Sequence, residues 1–304
     1  MRGGSDPQMV AVRAMLEARK PKPGQPEPTI AERRKGMEAF ATMAQMPDGT
    51  QWAAMEIEGV PCERVVPAEA IRGRVMLYLH GGAYVVGSPV SHRPLVARLG
   101  VAARTASVVP DYRLGPEHPF PAAVEDAVKV YRGLLASGHA ADTIVIAGDS
   151  AGGGLTLATA LALKAEGLPQ PAGLFVISPW ADLTQSSDTY QSLAERDPMI
   201  TKQGLDSSAA QYLAGADPRN PMASPIFGDL TGLAPILIQV GSEETLLGDS
   251  MILAYRAAQV RVAVTLEVWP DMIHVWHAMG GMVDAAREAI SQAGRWIDGQ
   301  FPKP

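Results

Sequence analysis

From residue 73 onward, short apolar runs rich in β-branched residues alternate with stretches of helical periodicity, and this alternation limits the folds open to the chain. The strand-like runs are GRVMLYLH (73–80), ASVVP (106–110), TIVIAG (143–148), AGLFVIS (172–178), APILIQVG (234–241) and VAVTLEVW (262–269). Helical patterns lie near 92–104, 121–136, 153–166, 249–260 and 281–298. Continuous apolar strands with no polar face must be covered on both sides. The pattern therefore predicts an α/β fold with a mostly parallel central sheet and helices on both faces. Ahead of it, QWAAMEIEGVPCERVVP (51–67) reads as a hairpin, and residues 8–46 read as two helices around the break PKPGQPEP. Residues 181–233 are too long and too rich in Ser, Asp and Pro for an ordinary connection. Helical patches at SLAER and QGLDSSAAQYLAG point to an ordered insertion.

Composition removes several classes of function. A net charge of -6 without a cluster of Lys and Arg argues against a nucleic-acid partner. Cys62 is the only cysteine, which leaves no internal disulfide and no C-x-x-C metal knuckle, so no metal is expected. No window approaches ~18 uninterrupted apolar residues, so no membrane span is expected. MRGGSDPQMVAVRAML has no apolar run of signal-peptide length, and a cytoplasmic protein is the expectation.

The most informative junction is TIVIAGDSAGGGLTLATALAL (143–163), where a buried strand meets a helix with Ser150 between them. Gly148 and Gly152 flank the serine in the pattern G-x-S-x-G, the nucleophile elbow, a strained turn in which only small neighbours fit. A helix opening after Ser150 would aim its free amides and positive dipole end at the hydroxyl. Phosphate cradles are disfavoured, because neither G-x-x-x-x-G-K-[ST] nor G-x-G-x-x-G is present here. Acyl transfer also needs donors for an oxyanion, and YLHGGAYVVGS supplies consecutive glycines at the end of an earlier strand. On this reading the donors are the amides of Gly81, Gly82 and Ala151.

HGGAYVVGS, DYRLGPEHPFPAAVED and GDSAGGGL, in this order, resemble the bacterial hormone-sensitive-lipase family of esterases. The likeness runs from about residue 45 to the C-terminus and implies the α/β-hydrolase fold with a helical cap. It implies residues 1–46 as N-terminal cap helices, 47–180 and 234–304 as the catalytic core, and 181–233 as a cap insertion. By the same resemblance the segment 111–124 buttresses the oxyanion loop, which makes Asp111, Tyr112, Arg113 and Glu117 structural. One departure is Ala83, where many members carry a third glycine; with donors at the two preceding amides, little effect is expected. Met37, Met43, Met46 and Met199 are candidates for an adaptable apolar wall. The capped pocket implies short- to medium-chain acyl esters, two-step acyl transfer needs no metal or organic cofactor, and the resembled family, whose members often dimerise through the sheet edge, suggests a homodimer.

A serine hydrolase of this order requires an acid and then a histidine after the serine. Only His274 and His277 follow the last strand-like run, and His274 lies in the loop directly beyond it. His274 is the expected base and His277 the alternative. In IQVGSEETLLGDS the family pattern E/D-x-L-L-x-D-S places Glu244 as the acid, with Asp249 in reserve and read as a helix N-terminal cap. The expected function is a serine carboxylesterase working through an acyl-enzyme. Lactone hydrolysis and deacetylation by the same triad remain alternatives. So does ligand binding without hydrolysis, since the resembled family includes receptors that lack the catalytic histidine.

Overall fold

The strand-like runs pair in one eight-stranded sheet, in the order β1-β2-β4-β3-β5-β6-β7-β8. The computed structural model describes residues 6–19, 28–41 and 44–303, so residues 21–27 of the Pro-rich break and Met43 lie outside the described residues. Strands β1 (Gln51–Ile57) and β2 (Val60–Val66) form the expected hairpin, and β2 pairs antiparallel with β4 (Ala106–Pro110). From there β3 (Val75–Leu79), β5 (Ile144–Asp149), β6 (Gly173–Ile177), β7 (Ile236–Gly241) and β8 (Val264–Trp269) run parallel. The register aligns Leu77, Ile146, Leu174, Ile236 and Val264 across the sheet.

Successive residues of a strand point to opposite faces, and two hydrophobic layers follow from that. Leu77, Leu79, Ile146, Leu174, Val176 and Ile238 face helices α4 (Ala122–Ala136), α5 (Ala151–Ala165) and α8 (Leu247–Gln259). Met76, Tyr78, Val145, Ala147, Phe175 and Ile177 face α3 (Pro89–Ala103) and α9 (Asp284–Gln300). Helix α5 is buried on every side from Ala151 to Leu163, so it forms the spine of its layer and carries apolar residues all round. Helix α3 starts cleanly because Ser88 and Ser91 form a reciprocal capping box with Pro89 in the first turn.

Two segments stand over the C-terminal ends of the parallel strands. The first carries α1 (Pro7–Arg19) and α2 (Ile30–Ala41). The second, residues 181–233, is ordered as its helical patches suggested, with α6 (Thr189–Ser192), α7 (Lys202–Leu213) and a 3-10 turn at Pro225–Phe227. SLAER itself is mostly turn. There Asp197 accepts the amides of Met199 and Ile200 and also the amide of Thr245, which ties the chain down before a helix can continue.

Phe175 is fully buried in the α3/α9 layer. Phe175→Ala is expected to cost about 3–5 kcal/mol of stability, seen as a lower urea midpoint at unchanged slope.

Candidate active site

Strand β5 ends at Asp149 and α5 begins at Ala151, which leaves Ser150 alone at the junction with φ 54 and ψ -122. A left-handed backbone at a residue with a Cβ is uncommon, and here the surrounding packing imposes it. A Cβ on Gly148 would collide with the carbonyl of Gly152, and one on Gly152 with the carbonyl of Leu79. The two glycines thus let α5 and β3 close around the turn. Ser150 N–H donates to Ile177 O (2.8 Å) and its carbonyl accepts from Trp180 N–H (2.8 Å), so the elbow is anchored from both sides.

The loop after β8 brings His274 to this serine. His274 Nε2 lies 2.9 Å from Ser150 Oγ, and Nδ1 lies 2.8 Å from Glu244 Oε2. Because a carboxylate only accepts, Nδ1 carries the proton and Nε2 presents its lone pair to the hydroxyl. Burial opposes a charge on His274. The hydrogen bond and charge of Glu244, with Asp197 and Asp149 further away, outweigh it and hold the pKa above the ordinary histidine value. Glu244 is fully buried. Its other oxygen accepts from Gly241 N–H (2.6 Å) and Ser178 Oγ–H (2.8 Å), and Ser178 Oγ in turn accepts from Val275 N–H (3.2 Å).

The alternatives weighed from sequence are placed elsewhere. His277 is buried against Gln239 (2.8 Å), and burial depresses its pKa to about 3. Asp249 does not cap α8, whose N-cap is Leu246. Asp249 instead accepts the amides of Ala181 and Asp182 (both 3.0 Å) and the hydroxyl of Tyr190. Burial and the neighbouring charge of Asp182 raise its pKa well above the carboxylate range. Asp249 therefore fastens the root of the 181–233 segment, a role that only the folded chain displays. Glu243 pairs with Arg196.

Of the three expected oxyanion donors, one has its amide engaged. Gly81 N–H is taken, lying 3.1 Å from Asp149 Oδ1 and 3.2 Å from His92 Nε2. Among the described residues, the backbone amides of Gly82, Ala83 and Ala151 have no acceptor. Unpaired amides therefore stand at residues 82, 83 and 151, and Gly82, Ala83 and Ser150 line one cavity. Gly82 with φ 121, Ala83 with φ 53 and Tyr84 with φ 62 give the loop its turn.

Asp149 and His92 were not assigned a role from sequence. Buried Asp149 accepts from Tyr78 Oη–H (2.8 Å) and Gly81 N–H, and lies 3.3 Å from His92 Nε2. Burial alone would raise its pKa, but His92 and Tyr78 bring it below the ordinary value. The only trace of Asp149 in sequence is its place as the variable residue of the serine motif. In the 111–124 segment, Tyr112 donates to His80 O (2.6 Å) and Glu117 pairs with Arg34, both beside the oxyanion loop. Arg113 turns to Asp126 and Glu125 on α4.

A cavity of about 530 Å³ opens onto Ser150 and His274, with Met37, Leu95, Met199, Ile200, Leu205 and Met279 in its apolar wall. Two of the methionines expected there, Met37 and Met199, do line it, whereas Met46 packs under α3 and α9. A recess of about 770 Å³ beside β1 and β2 shares no residue with it. No group of His, Cys, Asp and Glu suited to a metal ion occurs among the described residues, and no described helix is long and apolar enough to cross a membrane.

The sequence profile of a family described by its alpha/beta hydrolase fold matches residues 76–278, more than half of the chain. An acetyl-hydrolase of Streptomyces hygroscopicus is 42% identical over 96% of this chain and 97% of its own. The esterase EstE5, crystallised and soaked with p-nitrophenyl butyrate, superposes with a TM-score of 0.93 at 44% identity, covering 97% of this chain and 99% of its own. An esterase described as a member of the bacterial hormone-sensitive lipase family superposes with a TM-score of 0.94 at 39% identity, covering 98% of this chain and all (100%) of its own. The profile match and the likeness along nearly the whole chain, together with the elbow serine and its histidine, place this chain in the bacterial hormone-sensitive lipase family of α/β-hydrolase-fold esterases.

Proposed function

We propose that this carboxylic ester hydrolase cleaves short- to medium-chain acyl esters through a covalent acyl-serine, with Ser150 as nucleophile, His274 as base and Glu244 as its orienting acid. The observation that carries the reading is the unbroken chain from Ser150 Oγ to His274 Nε2 (2.9 Å) and from His274 Nδ1 to Glu244 (2.8 Å). As Ser150 Oγ attacks the ester carbonyl, its proton passes to His274 Nε2 and the carbonyl oxygen becomes an oxyanion. Amides of Gly82, Ala83 and Ala151 receive that charge, at the N-terminus of α5 where the helix dipole also favours it. His274, now doubly protonated and held by Glu244, gives its Nε2 proton to the leaving alcohol. Water then attacks the acyl-serine by the same route and releases the acid.

The size and lining of the cavity support the substrate class. A space of about 530 Å³ with apolar walls suits a modest acyl group. The described names of relatives point the same way, one an acetyl-hydrolase and another an esterase soaked with a butyrate ester. The segments over the strand ends act as the cap, 1–46 and 181–233, on a core of 47–180 and 234–304. Lactone hydrolysis and deacetylation use the same groups. Binding without hydrolysis has less support, because His274 lies within hydrogen-bonding distance of the serine. Edge strand β8 exposes Val268, and α8 exposes Met251 and Tyr255, surface suited to the homodimer. The free, buried Cys62 suits a reducing cytoplasm.

Three measurements test the reading. Glu244→Gln is expected to lower kcat by roughly 10³–10⁴, whereas Asp249→Asn keeps turnover within about tenfold and chiefly lowers stability; the reverse ranking would reassign the acid. Neutral His274 is the working base and its pKa is raised. The rate should therefore fall as pH drops through a value above the ordinary histidine pKa, and a flat profile between pH 5 and 9, roughly the range around that value, refutes the base. In a p-nitrophenyl series with Ser150→Ala as control, acetate and butyrate should outpace palmitate.

A further inference from the structure

The oxyanion loop does not hold its own shape. Ala83 and Tyr84 are consecutive residues with side chains in the left-handed region, which is disfavoured because Cβ crowds the following carbonyl oxygen. Inside the loop, Val85 and Val86 N–H donate to Gly82 O, and His80 Nδ1 lies 2.8 Å from Gly81 O. Other fastenings come from outside, with Asp149 and His92 holding the Gly81 amide. Gly115 N–H donates to Tyr84 O (2.9 Å), and the Tyr84 ring stacks on Tyr212 of α7 with centroids 3.9 Å apart. A further fastening is a single side chain of α2. Arg34 Nε donates to Val85 O (2.9 Å), Nη2 donates to Gly115 O (3.0 Å), and both terminal nitrogens grip Glu117 (2.8 Å each).

We propose that Arg34 is a positioning residue, through which α2 sets the oxyanion loop so that the Gly82 and Ala83 amides meet the transition state. The proposal rests on the ester-hydrolase reading and assigns this duty to a residue outside the reacting groups. Three acceptors on two different segments are met by one planar fork, a geometry a lysine cannot reproduce. The ion pair with Glu117 is partly exposed, at 31% and 53% for the two side chains, so its contribution is small, and the alignment rests on the bonds to the Val85 and Gly115 carbonyls. Helix α2 also lines the cavity through Gly36 and Met37, and Glu38 accepts from Ser88 Oγ–H (2.8 Å) at the far end of the same loop. An acyl group resting on Met37 therefore presses on the helix that holds the amides in place. Binding energy from the acyl chain is delivered where charge develops and not only to affinity.

Arg34→Met keeps the stem and removes the fork, while Arg34→Lys keeps the charge. Both are expected to lower kcat on p-nitrophenyl butyrate by about tenfold with KM within about twofold, since a misplaced donor weakens transition-state binding. Both should also speed amide hydrogen exchange in the 81–88 peptide, a readout that needs no turnover. Glu117→Gln leaves the two carbonyl bonds of Arg34 intact and should match the wild type in both. A higher KM at unchanged kcat, or unchanged exchange in 81–88, would mean that Arg34 merely fastens the cap and would overturn the proposal. Absence of turnover by the wild-type protein would instead strike the hydrolase reading, and the exchange experiment would still decide the role of Arg34.

Discussion

Everything at the site depends on one backbone constraint, the left-handed conformation of Ser150 between β5 and α5. That turn reverses the chain within one residue and leaves the hydroxyl standing at the C-terminal end of the sheet. It persists because the neighbouring layers leave no other path. Gly148 and Gly152 admit the carbonyls of β3 and α5 where a Cβ would collide, and β6 holds the Ser150 amide through Ile177. The same turn sets the first amides of α5 free, so the serine hydroxyl and the positive end of a helix dipole arise from a single junction.

Around that fixed point the polar groups are arranged so that charges stay where the chemistry uses them. Glu244 is buried but accepts three hydrogen bonds, from Gly241, Ser178 and His274, which compensate the loss of water. On the other side of Ser150, buried Asp149 is held by Tyr78, His92 and the Gly81 amide. Two buried carboxylates thus flank one serine with separate partners: one bonds the His274 imidazole, and the other the Gly81 amide. His80 and His277, both buried and with pKa values depressed to about 3, stay neutral and add no competing positive charge.

The segments above the sheet share their anchors with the reacting groups. Asp197 ties Met199 and Ile200, in the cavity wall, to Thr245, the residue after Glu244. Asp249 holds the root of the same segment through the amides of Ala181 and Asp182. The shape of the cavity and the place of the acid are therefore coupled through short side-chain bridges, and substitutions in the covering segments reach the chemistry without touching it.

The alternation of strand and helix was legible in the sequence because burial on both faces forces apolar, β-branched runs, and the six runs from 73–80 to 262–269 became β3 to β8. Ser150 was legible because its turn tolerates only small neighbours. Chain order narrowed the expected base to His274 and His277, and the loop directly after the last strand, where the resembled family carries its histidine, favoured His274. Glu244 took the family resemblance as well, since its neighbour Glu243 offers the same carboxylate. Tertiary structure alone decided the rest. Which loop amides are free depends on Asp149 and His92 reaching Gly81 across separate strands and helices, and no spacing along the chain records that approach. Asp249 looked like a helix cap and became a bridge to residues 181 and 182, because a buried carboxylate takes whatever donors the fold brings to it. Local sequence encodes backbone shape and burial, whereas hydrogen-bond partners far apart in the chain exist only once the layers have packed.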